Sequence, residues 1–191
     1  MPRILAIAGS LRKHAYSKRI LAIAASGARE AGAEVTIVDL REYPMSIYDN
    51  DVQDAAFDEN AAKLQEVMAA HDGFLFASPE YNGSIPGGFK NAIDWTSRAS
   101  EKFPMYGVSK GKTAAIMTAS PGQFGGLRCL AHLRGVLTIM GIHVLPMEIA
   151  VPFVSAKFAG DSAEMTDEKT KSLLEKLGGA LAESLAQNSN G

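Results

Sequence analysis

A segment near the N-terminus carries residue types that bind phosphate. Residues 9–17 supply hydroxyls at Ser10 and Ser17 and a guanidinium at Arg12, groups that hydrogen-bond to phosphate oxygens or neutralise their charge. The segment lies between a short apolar run and a helical pattern, so the free N–H groups of a helix N-terminus face it as well. We predict a phosphate-binding loop here, without the G-x-G-x-x-G or P-loop pattern. The alternative is a solvated loop in which Ser17 only caps the helix.

A second segment, residues 78–87, combines a carboxylate, a phenol and an amide with two prolines. Because Pro79 and Pro86 fix φ, and Gly83 can adopt a positive φ, we expect a stiff and mostly extended segment. Its backbone amides and carbonyls could contact the edge of a flat heterocycle. The alternative is an ordinary connection in which Tyr81 is merely packed. The candidate contacts are Pro79, Glu80, Tyr81, Asn82 and Gly83.

A third segment, residues 120–126, contains Ser120 and three glycines, including Gly122. Glycine permits a close approach between backbone and ligand, although a flexible loop would have the same composition. A phosphate at the first segment and a planar group between the second and third together describe a mononucleotide. FMN is the obvious candidate.

Apolar runs of strand length alternate with helical patterns along the chain. The predicted strands are residues 4–8, 35–38, 73–77, 113–118 and 142–145. The predicted helices are residues 17–31, 58–70 after Asp58, 87–97, 126–140, and one that begins after Thr166 as its N-cap. Short strands that are apolar on both faces predict an α/β fold with a doubly wound parallel sheet. Ligands bind such sheets at the carboxyl ends of the strands, where the three segments lie.

Composition excludes several classes of protein. The 191 residues include one cysteine, Cys129, which rules out an internal disulfide and a zinc ribbon. We expect Cys129 to be a packed thiol, and the low cysteine content fits a reducing cytoplasm. The net charge of −2 is not a nucleic-acid footprint, and no apolar run approaches the ~20 residues of a membrane span. We therefore expect no nucleic acid, membrane or metal partner. The predicted organisation is one domain over residues 1–191, frayed at 188–191.

Four motifs carry a family resemblance. Gly9–Arg12, Pro79–Asn82, Pro86–Trp95 and Gly125–Cys129 are similar to the NADPH-dependent FMN reductase family, which includes chromate or quinone reductases and some azoreductases. The resemblance implies a flavodoxin-like three-layer sandwich with strand order 2-1-3-4-5. It also implies non-covalent FMN as the cofactor and NAD(P)H as the co-substrate.

The resemblance further implies a reaction and a set of contacts. In a ping-pong reaction, a hydride passes from NAD(P)H through FMN to quinones, free flavin, azo compounds or metal oxyanions, and no catalytic side chain is required. A homodimer or homotetramer is implied, and residues 41–57 and 98–111 are candidates for the subunit contact. The implied FMN-binding residues are Ser10, Leu11, Arg12, Tyr16, Ser17, Pro79, Glu80, Tyr81, Asn82, Gly83, Ser120 and Gly122.

The chain departs from the family pattern in ways that leave alternatives open. Ala15 stands where the family often has serine, and Ser17 where it often has asparagine. Gly83 replaces a second aromatic residue, and Pro121 removes a backbone donor from the third segment. The competing functions are a flavodoxin-like electron carrier without NAD(P)H activity, a Rossmann-type NAD enzyme and a flavodoxin-like module without enzymatic activity. The missing G-x-G-x-x-G argues against the second, and the near-neutral charge against the first.

Overall fold

A parallel sheet forms the centre of the protein. The computed structural model describes residues 1–160, 162 and 164–188, and within them five parallel strands lie in the order β2-β1-β3-β4-β5. This arrangement confirms the predicted α/β fold and its strand order. The strands are β1 (Arg3–Ala8), β2 (Glu34–Val38), β3 (Gly73–Pro79), β4 (Thr113–Ala119) and β5 (His143–Val151).

Helices cover both faces of the sheet. One face packs against the first and last helices, and the other packs against the third, fourth and fifth. Successive residues of β1 alternate between the two layers: Ile4 contributes to the first and Leu5 to the second. The three-layer sandwich is thereby confirmed. The helices are α1 (Tyr16–Glu30), α2 (Asn50–Ala55), α3 (Glu59–Ala69), α4 (Gly87–Thr96), α5 (Leu127–Ile139) and α6 (Glu168–Asn188).

Glycines allow α1 and α6 to pack closely. A Cβ atom at Gly178 of α6 would lie 1.8 Å from the backbone oxygen of Ala24 in α1. A Cβ atom at Gly27 of α1 would lie 2.1 Å from the backbone oxygen of Glu175 in α6. Real side-chain atoms do not fit at such distances, so the packing of this layer depends on both glycines.

Two stretches of the chain have regular structure beyond the predicted elements. Between β2 and α3 the chain forms a 3-10 helix, Leu40–Glu42, and the short helix α2, whose first turn is capped by the carboxylate of Asp49. Strand β5 extends well past the predicted 142–145. It continues through Pro146 because β5 lies at the sheet edge, where a missing N–H is tolerated, and a register shift accompanies it between Ala114 and Ile116.

The cap of α6 is Asp167 rather than the predicted Thr166. The Asp167 carboxylate accepts the N–H of Thr170 at 2.9 Å, three residues into the helix turn. The same carboxylate lies 3.3 Å from the ammonium of Lys157. Asn188 is the last residue of α6, and the other residues of the predicted frayed end, 189–191, lie outside the described part of the chain.

Removal of this cap should destabilise the protein in a pH-dependent way. Hydrogen bonds from Thr170, with the Lys157 ion pair, lower the pKa of Asp167 to about 2. The stabilisation is therefore complete above about pH 4, the unfolded pKa, and is lost as the pH falls through about 2. We expect Asp167→Ala to lower the Tm at neutral pH, and Asp167→Asn, which keeps an acceptor, to lower it less. Thermal denaturation across this pH range checks the prediction, and a Tm difference that does not shrink in acid would contradict it.

None of the helices in the described part of the chain combines the length and apolar character that a membrane span requires.

Candidate functional site

Three loops meet at the carboxyl ends of β1, β3 and β4. They enclose a cleft of about 140 Å³. Its walls contain most of the predicted site residues, together with Ala15, Ala119 and Pro121, which were not among them. The predicted residues in the walls are Ser10, Arg12, Tyr16, Ser17, Pro79, Glu80, Tyr81 and Ser120.

The first loop places an unpartnered hydroxyl at the cleft. Ser17 is 1% exposed, and its Oγ atom has no hydrogen-bond partner among the described residues. The N-cap position of α1 belongs to Ala15, which provides no side-chain cap, so the alternative in which Ser17 caps the helix is wrong. Ser10 is also buried, and its Oγ accepts the N–H of Arg12 at 3.2 Å. A buried hydroxyl without a partner costs about 1–3 kcal/mol, which points to a polar ligand in the cleft.

Most cationic side chains near the first loop contact other groups of the protein, whereas Arg12 lines the cleft. Lys18 forms a 2.8 Å ion pair with Asp39 at the end of β2, and Arg41 binds the same carboxylate. The Arg41 hydrogen bonds hold the pKa of Asp39 well below its usual range. Arg19 lies over the ring of Tyr16, at 5.2 Å. Arg12, by contrast, is exposed and lines the cleft, so its charge is available to a ligand there.

The second loop contains a tight turn rather than the mostly extended segment that was predicted. Asn82 and Gly83 both have positive φ, 51° and 75°. Tyr81 and Ser84 on either side exchange two N–H···O bonds of 3.0 Å. Two left-handed residues between paired neighbours make a two-residue hairpin turn, for which Asn-Gly is the favoured pair. Tyr81 remains 49% exposed beside the cleft, so it is not a packed core residue.

Glu80 fastens the second loop to α5. Its Oε1 atom accepts hydrogen bonds from Arg128, Nε at 2.9 Å and Nη2 at 2.5 Å, and its Oε2 atom accepts the N–H of Cys129 at 3.2 Å. These bonds, led by those from Arg128, lower the pKa of Glu80 and keep it ionised. The Glu80 carboxylate therefore binds groups of the protein itself, and not the ligand edge for which it was predicted. Arg128 was missed as a site residue, although its place in the first turn of the predicted helix behind the third loop was a usable signal.

The glycines of the third loop serve the protein's own packing. Gly125 and Gly126 have positive φ, and a Cβ atom on them would lie 2.7 Å from the Pro152 nitrogen and 2.8 Å from Thr118, respectively. The expected close approach to a ligand does not explain these two. Gly122 lies outside the cleft wall and donates its N–H to Ser120 Oγ at 3.1 Å.

Cys129 is the packed thiol that was expected. It is fully buried, its Sγ atom lies 3.4 Å from Ser78 Oγ, and burial raises its pKa. Within residues 1–160, 162 and 164–188, no group of three or more His, Cys, Asp or Glu residues could hold a metal ion.

Comparison with known proteins identifies the family to which the chain belongs. The family described as NADPH-dependent FMN reductase matches residues 2–156. The chain belongs to this family. An NAD(P)H-dependent FMN reductase of Pseudomonas aeruginosa is 37% identical over 175 residues, which are 91% of this chain and 90% of that protein. A quinone reductase of Escherichia coli is 34% identical over 173 residues, 88% and 87% of the two chains.

A solved structure agrees with the family assignment. The flavoenzyme NAD(P)H:(acceptor) oxidoreductase of Paracoccus denitrificans superposes with a TM-score of 0.82 at 28% identity, and the match covers 98% of both chains. Membership in the FMN reductase family confirms the predicted class of enzyme, with FMN as cofactor and NAD(P)H as co-substrate. The Rossmann-type alternative is thereby excluded.

Proposed function

We propose that this member of the family transfers electrons from NAD(P)H to small-molecule acceptors, with quinones as the principal class, in a ping-pong reaction. The observation that carries the proposal is the buried hydroxyl of Ser17, a residue that lines the cleft and whose Oγ has no hydrogen-bond partner among the described residues. A phosphate group is the partner that best fits it, because Arg12 and the uncapped N-terminus of α1 lie at the same place. When bound, FMN would supply the two-electron chemistry that links NAD(P)H oxidation to reduction of an acceptor.

The residues of the first loop would hold the phosphate end of FMN. Ser17 would donate its hydroxyl to a phosphate oxygen, and Arg12 would supply the charge. Ser10 Oγ already orients the Arg12 backbone, so this part of the loop is organised before a ligand arrives. Among the predicted contacts, the Glu80 carboxylate is bonded to Arg128. Ser10 Oγ and Ser120 Oγ each accept a backbone N–H and can still donate their own hydrogen to a ligand.

The open side of the cleft supports direct access for the acceptor. A volume of about 140 Å³ is below the roughly 300–1,000 Å³ of a pocket that encloses a small-molecule ligand. A cleft of this size would accommodate the phosphate and part of its chain, and the planar ring would lie toward exposed Tyr81. A ring with an uncovered face accepts varied partners. This supports free flavin, azo compounds and metal oxyanions as further acceptors.

Initial-rate kinetics test the reaction sequence. Rates are measured with NADPH varied at several fixed concentrations of a quinone, and then with NADH. A ping-pong reaction requires parallel lines in the double-reciprocal plot, because the oxidised nicotinamide leaves before the quinone binds. Intersecting lines would contradict the sequence, and an FMN-loaded protein that oxidises neither NADPH nor NADH would instead support the electron-carrier alternative.

We propose further that the chain forms a homodimer or homotetramer through residues 41–57. Ile47 in this segment is 87% exposed, although its neighbours are held firmly. The Ser46 oxygen accepts bonds from Asn91 and Trp95, and the Tyr48 N–H donates to Asn91, all at 2.8 Å. Contact with a second chain would remove this apolar side chain from water.

Sedimentation velocity tests the subunit contact. The wild type should sediment as a dimer or tetramer, and Ile47→Asp should shift it toward the monomer, because a charge replaces the apolar contact. Val52 is a second exposed apolar residue of the same segment, so Val52→Asp should weaken the association as well. A wild-type monomer at micromolar concentration would contradict the proposal.

A further inference from the structure

Arg128 is held in one orientation at the edge of the cleft. It belongs to the first turn of α5, and two of its nitrogens bond to Glu80, whose atoms also form part of the cleft wall. On another side, the guanidinium carbon lies 5.3 Å from the ring centre of Phe124 in the third loop. A guanidinium held by a carboxylate and an aromatic ring loses little freedom when it binds a further group.

The guanidinium faces solvent while its counter-ion faces the protein. The Arg128 side chain is 61% exposed and that of Glu80 only 9%. The Glu80 charge is also shared, because its second oxygen accepts the N–H of Cys129 at the positive end of α5. Among the described residues, no hydrogen bond is recorded from Nη1 of Arg128. Donors and positive charge thus remain on the outer side of the pair.

Because Gly83 has no side chain, the side of Arg128 that faces it stays uncovered. A Cβ atom at Gly83 would lie 3.8 Å from both Cδ and Nε of Arg128, so a larger side chain at this position would extend over the arginine. The neighbouring rim is aromatic as well as cationic, because Tyr81 and Phe124 are both about half exposed. The rim therefore offers planar apolar contacts beside an accessible guanidinium.

We propose that Arg128 is a specificity-determining residue of the acceptor site, which favours planar acceptors that carry an anionic substituent such as sulfonate or carboxylate. The inference rests on the proposed function, because it assumes that acceptors are reduced at this cleft. Arg128 binds the substituent with its outward N–H groups while the planar part of the acceptor lies along the aromatic rim. Reduction requires no chemistry from Arg128.

A matched pair of acceptors tests the inference. Values of kcat/KM are measured for 1,2-naphthoquinone-4-sulfonate and for 1,2-naphthoquinone, which lacks the charge, with the FMN-loaded wild type, Arg128→Gln and Arg128→Lys. We expect Arg128→Gln to lower the sulfonate-to-neutral ratio about three- to tenfold, a modest effect because the site is exposed. Arg128→Lys, which keeps the charge, should lower the ratio less. Lys110→Gln removes an exposed charge at the opposite, amino-terminal edge of β4 and should leave the ratio unchanged.

Binding and salt dependence provide readouts beyond turnover. Naphthalene-1-sulfonate, which cannot be reduced, should bind the FMN-loaded wild type more tightly than Arg128→Gln in a calorimetric titration. In the wild type, the sulfonate-to-neutral ratio should fall as the ionic strength rises, because salt screens an exposed charge. This second result needs no variant and so does not depend on the folding of Arg128→Gln.

The outcomes separate the inference from the proposed function. If the wild type reduces both quinones and the ratio is the same in Arg128→Gln, the inference is wrong and the proposed function stands. If the substitution instead raises KM for NADPH, relative to NADH, with an unchanged quinone ratio, Arg128 binds the dinucleotide phosphate and the inference is overturned. If the FMN-loaded wild type reduces neither quinone, the proposed function fails and the inference fails with it.

Discussion

Ser17→Ala should weaken FMN binding and, at the same time, raise the Tm of the FMN-free protein. Ser17 is buried, and its hydroxyl has no hydrogen-bond partner in the part of the chain that the structure describes. A hydrogen bond to a charged group contributes about 1.5–3 kcal/mol, so its loss should raise the Kd for FMN roughly 10- to 100-fold. The FMN-free protein gains stability because the substitution removes a buried hydroxyl that pays a desolvation cost without a hydrogen bond.

A fluorescence titration of the FMN-free protein measures the first effect, and thermal denaturation without FMN measures the second. Ser26→Ala is the matched control, because Ser26 is an exposed serine on the same helix. It should change the Kd for FMN by less than about twofold, as expected for a surface substitution. A serine that serves only the fold would produce lower stability and an unchanged Kd. That result would remove Ser17 from the FMN site.

Gly178→Ala should destabilise the protein severely. The added methyl group would lie 1.8 Å from the backbone oxygen of Ala24 and 2.9 Å from the backbone nitrogen of Ala28, so α1 and α6 must move apart. Overpacking of this kind costs about 1–3 kcal/mol and occasionally more, and here the obstruction is backbone that cannot rotate away. Because two whole helices are displaced, we expect about 3 kcal/mol or more. The gain in helix propensity, about 1 kcal/mol, does not compensate.

The next residue provides the matched control for this prediction. A methyl group at Gly179 would find its nearest neighbours at 3.8 Å, which is ordinary van der Waals contact. Gly179→Ala should therefore stabilise the protein by up to about 1 kcal/mol through helix propensity alone. Urea denaturation of the two variants and the wild type measures both values. If Gly178→Ala were as stable as Gly179→Ala, the close packing of α1 on α6 would be wrong.

Much of the fold follows from local sequence patterns. The central strands β1, β3 and β4 are continuous apolar runs because both of their faces are covered, and the intervening helices show an apolar stripe. The pattern is weaker at the sheet edge. There Pro146 interrupts the apparent strand, and only the tertiary position of β5 shows that the missing N–H is harmless. The Asn82–Gly83 turn had a local signal of its own, the favoured Asn-Gly pair, which the two prolines obscured.

The decisive features of the site depend on contacts between distant parts of the chain. Ser17 lies in the buried first turn because α1 begins at Tyr16. The capping alternative instead placed Ser17 before the helix, where its hydroxyl would accept a backbone N–H. The Glu80–Arg128 pair joins residues 48 positions apart. Sequence spacing could place both residues at the same edge of the sheet. It could not show that Glu80 would face Arg128 instead of a ligand.

We propose that the cleft between the three loops binds FMN and presents it to NAD(P)H. The most direct measurement is anaerobic: the FMN-free protein is titrated with FMN, and the visible spectrum is followed as NADPH or NADH is added. We expect binding of one FMN per chain, followed by rapid bleaching of the yellow absorbance by at least one of the two nicotinamides. A protein that takes up no FMN, or one whose bound FMN neither nicotinamide bleaches, would contradict it.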